Sequence, residues 1–510
     1  MLWDLLVAVT CCATLVTSGC GGGDEETDGD ADGDADADAD VESDEDGDVD
    51  VDGDMDGDAD SDRDDVSDAE GDADTDIDGP STPSAYGVFQ LYGDEYQDFR
   101  RAMGFSLPDY WAFVDEHVAR LGVRFTRTNT LLIWGLVEPE LGAGYIWDTP
   151  MQTDAVIRAV YAPAPGKEMD ILLVIEPRRG ARDAPPYPDG LEAEYQDYVR
   201  AVVERYDGDG TDDVGGGVRV RHWQVMNEPF FDLDAGRMTA EEYADLVRLT
   251  EAAVHDADPD ARVALGDTGR HQRDIIPLLD GVPFDAVDVH YWSTADDYLL
   301  PVLEPMRRGL DGMGLVHVEI WMCEFGTYTN EPDRLPPHTD EYQARWLVKA
   351  MVANRAGGVR RILWNNLVGW TNFGGDPGSM FNFMGLISSG AASGDRADDL
   401  GRERPAYAAF QRLVAETDTD VADLGGPVDG LPGSARAVSF TPRDGGPTFF
   451  VAWSDADPAT VDLPCPRTAA RVSSLVPDEV GLFDETVVPT EGGVVSVELG
   501  EDPVLVRPEG

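Results

Sequence analysis

The stretch His222-Trp223-Gln224-Val225-Met226-Asn227-Glu228-Pro229 begins with β-favouring residues and ends with an amide, a carboxylate and a proline. A second stretch, Glu319-Ile320-Trp321-Met322-Cys323-Glu324-Phe325-Gly326, passes in the same way from a β-rich run to a carboxylate and a glycine. Proline and glycine at such positions indicate the end of a strand. Both stretches are therefore predicted to be short strands with a glutamate at the carboxyl end.

The same alternation of a β-rich run with an amphipathic helical stretch recurs between about residues 85 and 418. One helical stretch, 239–257, begins with Thr239 and Glu242 in the spacing of a capping box. Eight strands are predicted, at 86–92, 123–129, 170–176, 220–227, 262–267, 285–290, 318–324 and 359–364. Eight such units predict a closed (β/α)8 barrel over residues 84–418. An open doubly wound sheet is less favoured, because no glycine-rich phosphate loop follows the first strand.

After residue 418 the helical pattern stops. Short β-rich runs follow at 437–441, 448–453, 494–499 and 503–506, separated by glycine, proline and aspartate turns. This pattern predicts a small C-terminal β-sandwich domain over residues 419–510.

The first twenty residues form an apolar segment that ends in Thr17-Ser18-Gly19-Cys20. Its apolar run is too short to span a bilayer. The ending resembles a bacterial lipobox, in which the cysteine is lipidated after cleavage. Residues 1–20 are therefore predicted to be a lipoprotein signal peptide with Cys20 as the lipidation site. We expect export to the cell surface or periplasm, with membrane attachment only through this N-terminal lipid.

Asp and Glu make up more than half of residues 24–78, and this tract contains no aromatic residue. It cannot bury enough apolar surface to offset the entropy of ordering, so residues 21–80 are predicted to be a disordered linker. Fragments such as 48–53 are similar to a calcium loop, but Ala59 stands where a bidentate glutamate is needed. Whether the linker binds calcium stays open.

The formal net charge is −65. An acidic surface without a basic stripe repels phosphate backbones, which excludes nucleic acid as an expected partner. The seven histidines show no His-x-x-x-His spacing, so neither a metal nor another cofactor is expected. Outside the export segment the only cysteines are Cys323 and Cys465, which predicts no disulfide framework.

Active sites of a (β/α)8 barrel lie at the carboxyl ends of its strands, where Glu228 and Glu324 are predicted. Two carboxylates facing each other at this rim are what glycoside hydrolysis requires. One must be protonated to donate to the leaving oxygen, and the other must be ionised. Asn227 is placed to bind a sugar hydroxyl. A thiol mechanism is disfavoured, because side chains alternate along a strand and Cys323 should face the helices if Glu324 faces the lumen.

The sequence resembles the clan A glycoside hydrolases, a group of (β/α)8 enzymes that includes families 5 and 39. The resemblance covers about residues 85–418 and rests mainly on the triplets Asn227-Glu228-Pro229 and Glu324-Phe325-Gly326. It implies that Glu228 is the acid/base, that Glu324 is the nucleophile, and that stereochemistry is retained. It also implies a set of substrate-binding residues, which comprises Asn227, His290, Tyr291, Arg127 and Trp364.

A long loop follows the eighth predicted strand and carries several aromatic residues. Sugars stack their apolar faces on aromatic rings, so Trp370 in this loop and Trp292 after strand six are further candidates for substrate binding. The alternative, that these rings only pack the loop onto the barrel, stays open.

The predicted function is hydrolysis of a β-linked oligo- or polysaccharide outside the cytoplasm by a retaining glycoside hydrolase. Two alternatives are a carbohydrate-binding lipoprotein without turnover and a calcium-dependent adhesin built on the acidic tract. The sugar, the choice between exo and endo action, the exact family and the oligomeric state do not follow from the sequence.

Overall fold

The computed structural model describes residues 84–510, apart from 94–95, 150, 181–183, 295–296, 331, 333–334, 372, 374–375, 377, 391–398 and 479. Eight parallel strands close into a barrel in chain order. They are β1 (Tyr86–Phe89), β2 (Phe125–Ile133), β3 (Asp170–Glu176), β4 (His222–Val225), β5 (Arg262–Leu265), β6 (Ala286–Trp292), β7 (Glu319–Gly326) and β8 (Val359–Trp364). The predicted (β/α)8 barrel is confirmed, with every predicted strand present.

The α-helices of the described residues pack around the barrel or lie in its connecting loops. They are α1 (Gln97–Met103), α2 (Leu107–Leu121), α3 (Trp134–Val137), α4 (Thr153–Tyr161), α5 (Glu192–Tyr206), α6 (Phe230–Asp234), α7 (Ala240–Ala257), α8 (Gln272–Ile275), α9 (Leu303–Gly312), α10 (Asp340–Ala356) and α11 (Pro405–Thr417). Thr239 caps α7 and forms the predicted capping box with Glu242. The helix therefore starts where the sequence places it.

Side chains fill the lumen of the barrel below the rim. This lumen cluster consists of Phe125, Leu172, Ala264, Ala286, Trp321, Cys323 and Leu363. The barrel is thus a packed core without a pore, and its chemistry is confined to the carboxyl ends of the strands.

Cys323 corrects one prediction, because its side chain lies in the lumen and does not face the helices. The cause is an irregularity in β7. The register advances from Trp321 to Glu324 in β7 while β6 advances only from Asp288 to His290. One extra residue in β7 therefore resets the alternation, and Cys323 and Glu324 both turn inward. Burial and the nearby Asp288 raise the pKa of the Cys323 thiol well above its ordinary value, which disfavours a nucleophilic thiolate.

The C-terminal region is an antiparallel β-domain of two sheets. Its strands are β9 (Ala422–Pro427), β10 (Ala435–Pro442), β11 (Phe449–Ser454), β12 (Ala459–Pro464), β13 (Ala469–Ser474), β14 (Glu485–Pro489), β15 (Val494–Leu499) and β16 (Val504–Glu509). Six strands form one sheet in the order β14-β13-β16-β11-β10-β9, and β12 pairs with β15. The two sheets share a core, as the predicted sandwich requires. The opposite face of the larger sheet joins the barrel core through residues such as Phe440, Val451 and Trp453.

The side chain of Asp418, directly after the last helix of the barrel, binds residues at the start of the barrel by hydrogen bonds. It is 2% exposed. Its carboxylate accepts hydrogen bonds from Ser84 Oγ at 2.7 Å, from Ala85 N at 2.8 Å and from Arg124 Nη2 at 3.1 Å. These contacts fasten the first strand to the end of α11.

Replacing Asp418 with alanine should lower the free energy of unfolding by about 3 kcal/mol, because the buried donors Ser84 Oγ and Ala85 N lose their acceptor and Arg124 loses one of its two carboxylate partners. Urea denaturation measures this loss. Asp420→Ala is a matched control, since Asp420 also pairs with Arg124 but its side chain is 46% exposed, and about 1 kcal/mol or less is expected. Equal losses in both variants would contradict the assigned role of Asp418.

Among the described residues, no helix combines the length and apolar character needed to cross a bilayer. The predicted signal peptide, Cys20 and the acidic linker lie outside the described residues, so their assignments stay predictions.

Candidate active site

The end of β4 brings Asn227 and Glu228 onto the rim of the barrel. Met226 adopts a positive φ of 62°, which turns the chain out of the strand. Gly266, directly after β5, permits this turn, because a Cβ at that position would lie 2.4 Å from the Met226 carbonyl oxygen. No larger residue fits there without moving the backbone that carries Glu228.

Glu228 and Glu324 face each other across the barrel mouth. A carboxylate oxygen of Glu228, one of Glu324 and a ring nitrogen of His290 all lie within 4.8 Å of one another. The Glu228 side chain is 17% exposed and that of Glu324 is 9% exposed. Both carboxylates are therefore largely dehydrated but still border the open rim.

Arg127 on β2 binds one side of this pair. Its guanidinium is fully buried and donates to Glu324 Oε1 at 2.8 Å. The same group donates through Nη2 to Asn227 Oδ1 and through Nε to Gln224 Oε1 at 2.6 Å. Asn227 Nδ2 in turn donates to Glu228 Oε2 at 3.2 Å. A single guanidinium thus orients Glu324 directly and Glu228 through Asn227.

Asp288 and His290 on β6 lie on the other side of the Glu228–Glu324 pair. His290 Nδ1 lies 2.9 Å from Glu228 Oε1, and its Nε2 lies 3.1 Å from Asp288 Oδ2. Asp288 also accepts from Gln224 Nε2 at 2.8 Å. A closed ring of hydrogen bonds therefore runs through Glu228, His290, Asp288, Gln224, Arg127 and Asn227, and Arg127 connects Glu324 to this ring.

The site has strongly shifted protonation equilibria. Burial raises the pKa of Glu324 to about 7, the Glu228 carboxylate adds to this rise, and His290 and Arg127 oppose it. Burial alone would lower the pKa of His290, but Glu324, Asp288 and Glu228 outweigh burial and raise it well above the ordinary value. Burial would raise the pKa of Asp288, whereas His290 and Arg127 bring it down to about 2. Such opposed shifts in one cleft are typical of catalytic sites.

The raised pKa of Glu324 predicts the acidic side of the pH–activity profile. A carboxyl group with a raised pKa keeps its proton to higher pH, and the protonated form cannot attack carbon. If Glu324 is the nucleophile, kcat/KM should fall as the pH drops through about 7. Initial rates at low substrate concentration, measured from about pH 4 to about pH 9, define this limb. A limb near the ordinary glutamate value of 4.5 would contradict the assignment.

Three sequence-predicted substrate contacts do not line the site as expected. Tyr291 faces the helices, where its hydroxyl donates to the Asp297 carbonyl oxygen at 3.3 Å. Trp364 is fully buried and donates to the Met384 carbonyl oxygen at 3.0 Å. Both occupy outward-facing positions of their strands, one residue out of phase with the lumen. Arg127 is also fully buried, and it orients other site residues without being exposed to substrate.

The two candidate tryptophans differ in their surroundings. The half-buried ring of Trp292 lies 5.5 Å from the ring of His290, which contacts Glu228, and 5.3 Å from the ring of Phe381. Trp370 is also half-buried, but its indole nitrogen donates to Asn366 at 2.8 Å and its ring contacts Tyr96 and Phe373. Trp292 therefore remains a candidate for sugar stacking, whereas the described contacts of Trp370 are those of loop packing.

Gln224, Asp288 and Asp267 were not predicted as site residues. Gln224 is completely buried below the rim. Asp267 accepts from the His290 backbone N–H at 3.3 Å, and burial raises its pKa to about 6. Asp288 could have been found, because it lies two residues before His290 and so shares its face of β6. Nothing in the sequence around Gln224 marks its contact with Arg127, which comes from a strand 97 residues away.

By distance alone, Glu228, His290 and Glu324 could hold a metal ion. The chemistry of His290 disfavours this, because both ring nitrogens contact carboxylates and the raised pKa favours the imidazolium. An imidazolium has no lone pair to offer a metal. The arrangement suits proton transfer and nucleophilic attack better than metal binding.

No protein-family profile and no curated protein matches the sequence. Among solved structures, the chain is similar to a family 39 glycoside hydrolase from Bacteroides cellulosilyticus WH2, with 17% identity, a TM-score of 0.59, and 83% of this chain and 81% of that chain covered. A family 39 β-xylosidase from Caulobacter crescentus matches with 17% identity and a TM-score of 0.53, over 84% of this chain and 96% of that one. An α-L-arabinofuranosidase from Thermotoga maritima matches with 13% identity and a TM-score of 0.52, over 79% of this chain and 91% of that one. The chain therefore shares its fold with glycoside hydrolases of this barrel type.

Proposed function

We propose that the protein is a retaining glycoside hydrolase, with Glu324 as nucleophile and Glu228 as acid/base. The observation that carries the proposal is the approach of carboxylate oxygens of Glu228 and Glu324 to within 4.8 Å at the carboxyl ends of β4 and β7. Retaining enzymes separate the two carboxyl groups by about 5–5.5 Å, whereas inverting enzymes need about 6.5–9.5 Å to admit a water molecule. The short separation supports double displacement.

The reaction has two steps. Glu324 attacks the anomeric carbon while the Glu228 proton passes to the leaving oxygen, so the glycosidic C–O bond breaks and a glycosyl ester forms. In the second step Glu228 takes a proton from water, whose oxygen bonds to the same carbon. The ester C–O bond then breaks and Glu324 is regenerated. Two inversions at one carbon leave the anomeric configuration unchanged.

The surroundings of the two glutamates support this division of roles. Arg127 donates to Glu324 at 2.8 Å from a fully buried position, and such a contact stabilises the carboxylate needed for attack. Glu228 is the more exposed of the two, which suits a group that must reach both the leaving oxygen and water. Asn227 lies between them and is placed to bind a sugar hydroxyl.

A panel of aryl glycosides tests the proposal. Aryl β-D-xylosides and α-L-arabinofuranosides come first, because solved structures of similar fold are a β-xylosidase and an α-L-arabinofuranosidase. We expect at least one glycoside to be hydrolysed, and proton NMR of the first-formed sugar to show the substrate's own anomeric configuration. An inverted product would overturn the retaining mechanism. Binding of sugars without hydrolysis of any glycoside would favour the non-catalytic carbohydrate-binding alternative.

We also propose that the chain acts outside the cytoplasm, held to a membrane by a lipid on Cys20. The support is the ending Thr17-Ser18-Gly19-Cys20 and the acidic tract that follows it. Mass spectrometry of the mature N-terminus tests this, and an unmodified Cys20 or cleavage elsewhere would remove the anchor.

A further inference from the structure

His290 lies at the centre of the site but has no contact with solvent. Its side chain is 0% exposed. Nδ1 lies 2.9 Å from Glu228 Oε1, Nε2 lies 3.1 Å from Asp288 Oδ2, and Nε2 is also 3.8 Å from Glu324 Oε1. The resemblance to clan A implied a substrate contact for His290, but a ring enclosed in this way has no free surface to offer the substrate. Its action must pass through the residues that it touches.

The charges around the ring favour an imidazolium. Carboxylates face His290 from four strands: Glu228 after β4, Asp267 after β5, Asp288 on β6 and Glu324 on β7. The one cation in the ring of hydrogen bonds is Arg127, which contacts Glu324 and lies 3.8 Å from Asp288. Because negative groups outnumber positive ones in a buried space, a proton on each ring nitrogen is stabilised.

We propose that His290 is a positioning residue that holds Glu228 through a positively charged Nδ1–H and leaves Oε2 of Glu228 as the oxygen that exchanges the catalytic proton. The proposal rests on the function proposed above. Oε1 is occupied by His290, whereas Oε2 receives, from the part of the chain that the structure describes, only the longer contact from Asn227 at 3.2 Å. Asp288 holds the far side of the ring and is itself fixed by Gln224 and by the Cys323 backbone N–H at 2.9 Å.

The positive charge of the His290 imidazolium affects the reaction through the Glu228 carboxylate. After Glu228 has given its proton to the leaving oxygen, the imidazolium stabilises the resulting carboxylate. The same contact keeps this carboxylate pointed at the anomeric centre until water arrives. A neutral histidine in a purely structural role would supply orientation without this stabilisation. The two roles therefore differ in their effect on the pH profile.

The first test does not depend on activity. The full chain is labelled with ¹⁵N-histidine, and the ring nitrogens of His290 are identified by the signal lost in His290→Asn. If that variant does not fold, the signal displaced in Glu228→Gln identifies them. Both nitrogens should carry protons at neutral pH and above. A His290 signal with one protonated and one bare nitrogen would overturn the proposal, whether or not any glycoside is hydrolysed.

The second test uses kinetics. Asparagine at 290 can place an amide N–H near the position of Nδ1 but carries no charge. In this variant the Glu228 carboxylate loses the neighbouring cation that stabilises its ionised form. The alkaline limb of kcat/KM should therefore move upward by about one pH unit or more. A limb that stays in place or moves downward would overturn the proposal.

His117→Asn provides the matched control. His117 is another buried histidine, whose Nδ1 lies 2.9 Å from Tyr407 Oη and 3.9 Å from Glu403 Oε1, and it lies on α2 outside the described site. This variant should keep the pH profile of the parent protein. If the parent hydrolyses no glycoside at all, the proposed function fails, while the NMR measurement still decides the charge of His290.

Discussion

Glu324→Ala should abolish turnover for substrates of every leaving-group quality, with kcat reduced by at least about 10⁴-fold. Without this carboxylate no glycosyl ester can form, so even an acidic phenol that needs no protonation is not released. The loss should not come from misfolding, because Arg127 keeps its hydrogen bonds to Gln224 and Asn227. Steady-state rates with nitrophenyl and alkyl glycosides measure the effect.

Glu319→Gln is the matched control for this variant. Glu319 lies on the same strand but at its opposite end, where it accepts from Trp321 Nε1 at 2.7 Å. A glutamine there can still accept that bond, and activity should stay near that of the parent. Unchanged turnover in Glu324→Ala would place the nucleophile elsewhere.

Glu228→Ala should lose turnover at a different step of the reaction. Loss of the proton donor matters little for ester formation when the leaving group is an acidic phenol, but water then lacks a base. The glycosyl-enzyme should accumulate, with a burst of phenol followed by steady turnover about 10²–10⁴-fold slower than in the parent. Added azide needs no base, so it should restore turnover.

The product of this rescue distinguishes the two glutamates. Azide attacking the ester on Glu324 gives a glycosyl azide with the substrate's own configuration. Rescue with an inverted product would mean that Glu228 is the nucleophile and that the roles are exchanged. No rescue and no burst would contradict an acid/base role for Glu228.

The barrel could be predicted because the periodicities of strands and helices depend on residues that are close together in the sequence. Helical stretches lie between most of the eight predicted strands, and Thr239 with Glu242 marks the start of one helix directly. The extra residue in β7 has no comparable local signal. It depends on pairing with β6 and β8, so the inward position of Cys323 could not be read from alternation alone.

In the candidate site, too, some residues could be predicted from the sequence and others could not. Glu228 and Glu324 were predictable because each ends a strand, and the rim of a parallel barrel brings strand ends together. Tyr291 and Trp364 were expected in the site from resemblance, but both lie on the outward phase of their strands. Gln224 was missed because its partners, Arg127 and Asp288, come from other strands. Contacts between distant segments are set by register, which sequence periodicity does not specify.

Identification of the labelled residue in a trapped intermediate tests the central claim most directly. An activated 2-deoxy-2-fluoro glycoside of the sugar found with the panel should form a glycosyl ester that hydrolyses slowly. Proteolysis and mass spectrometry then locate the ester. The account predicts a single label on Glu324 in the peptide containing Trp321-Met322-Cys323-Glu324-Phe325. A label on Glu228, or hydrolysis with inversion and no labelled peptide, would contradict it.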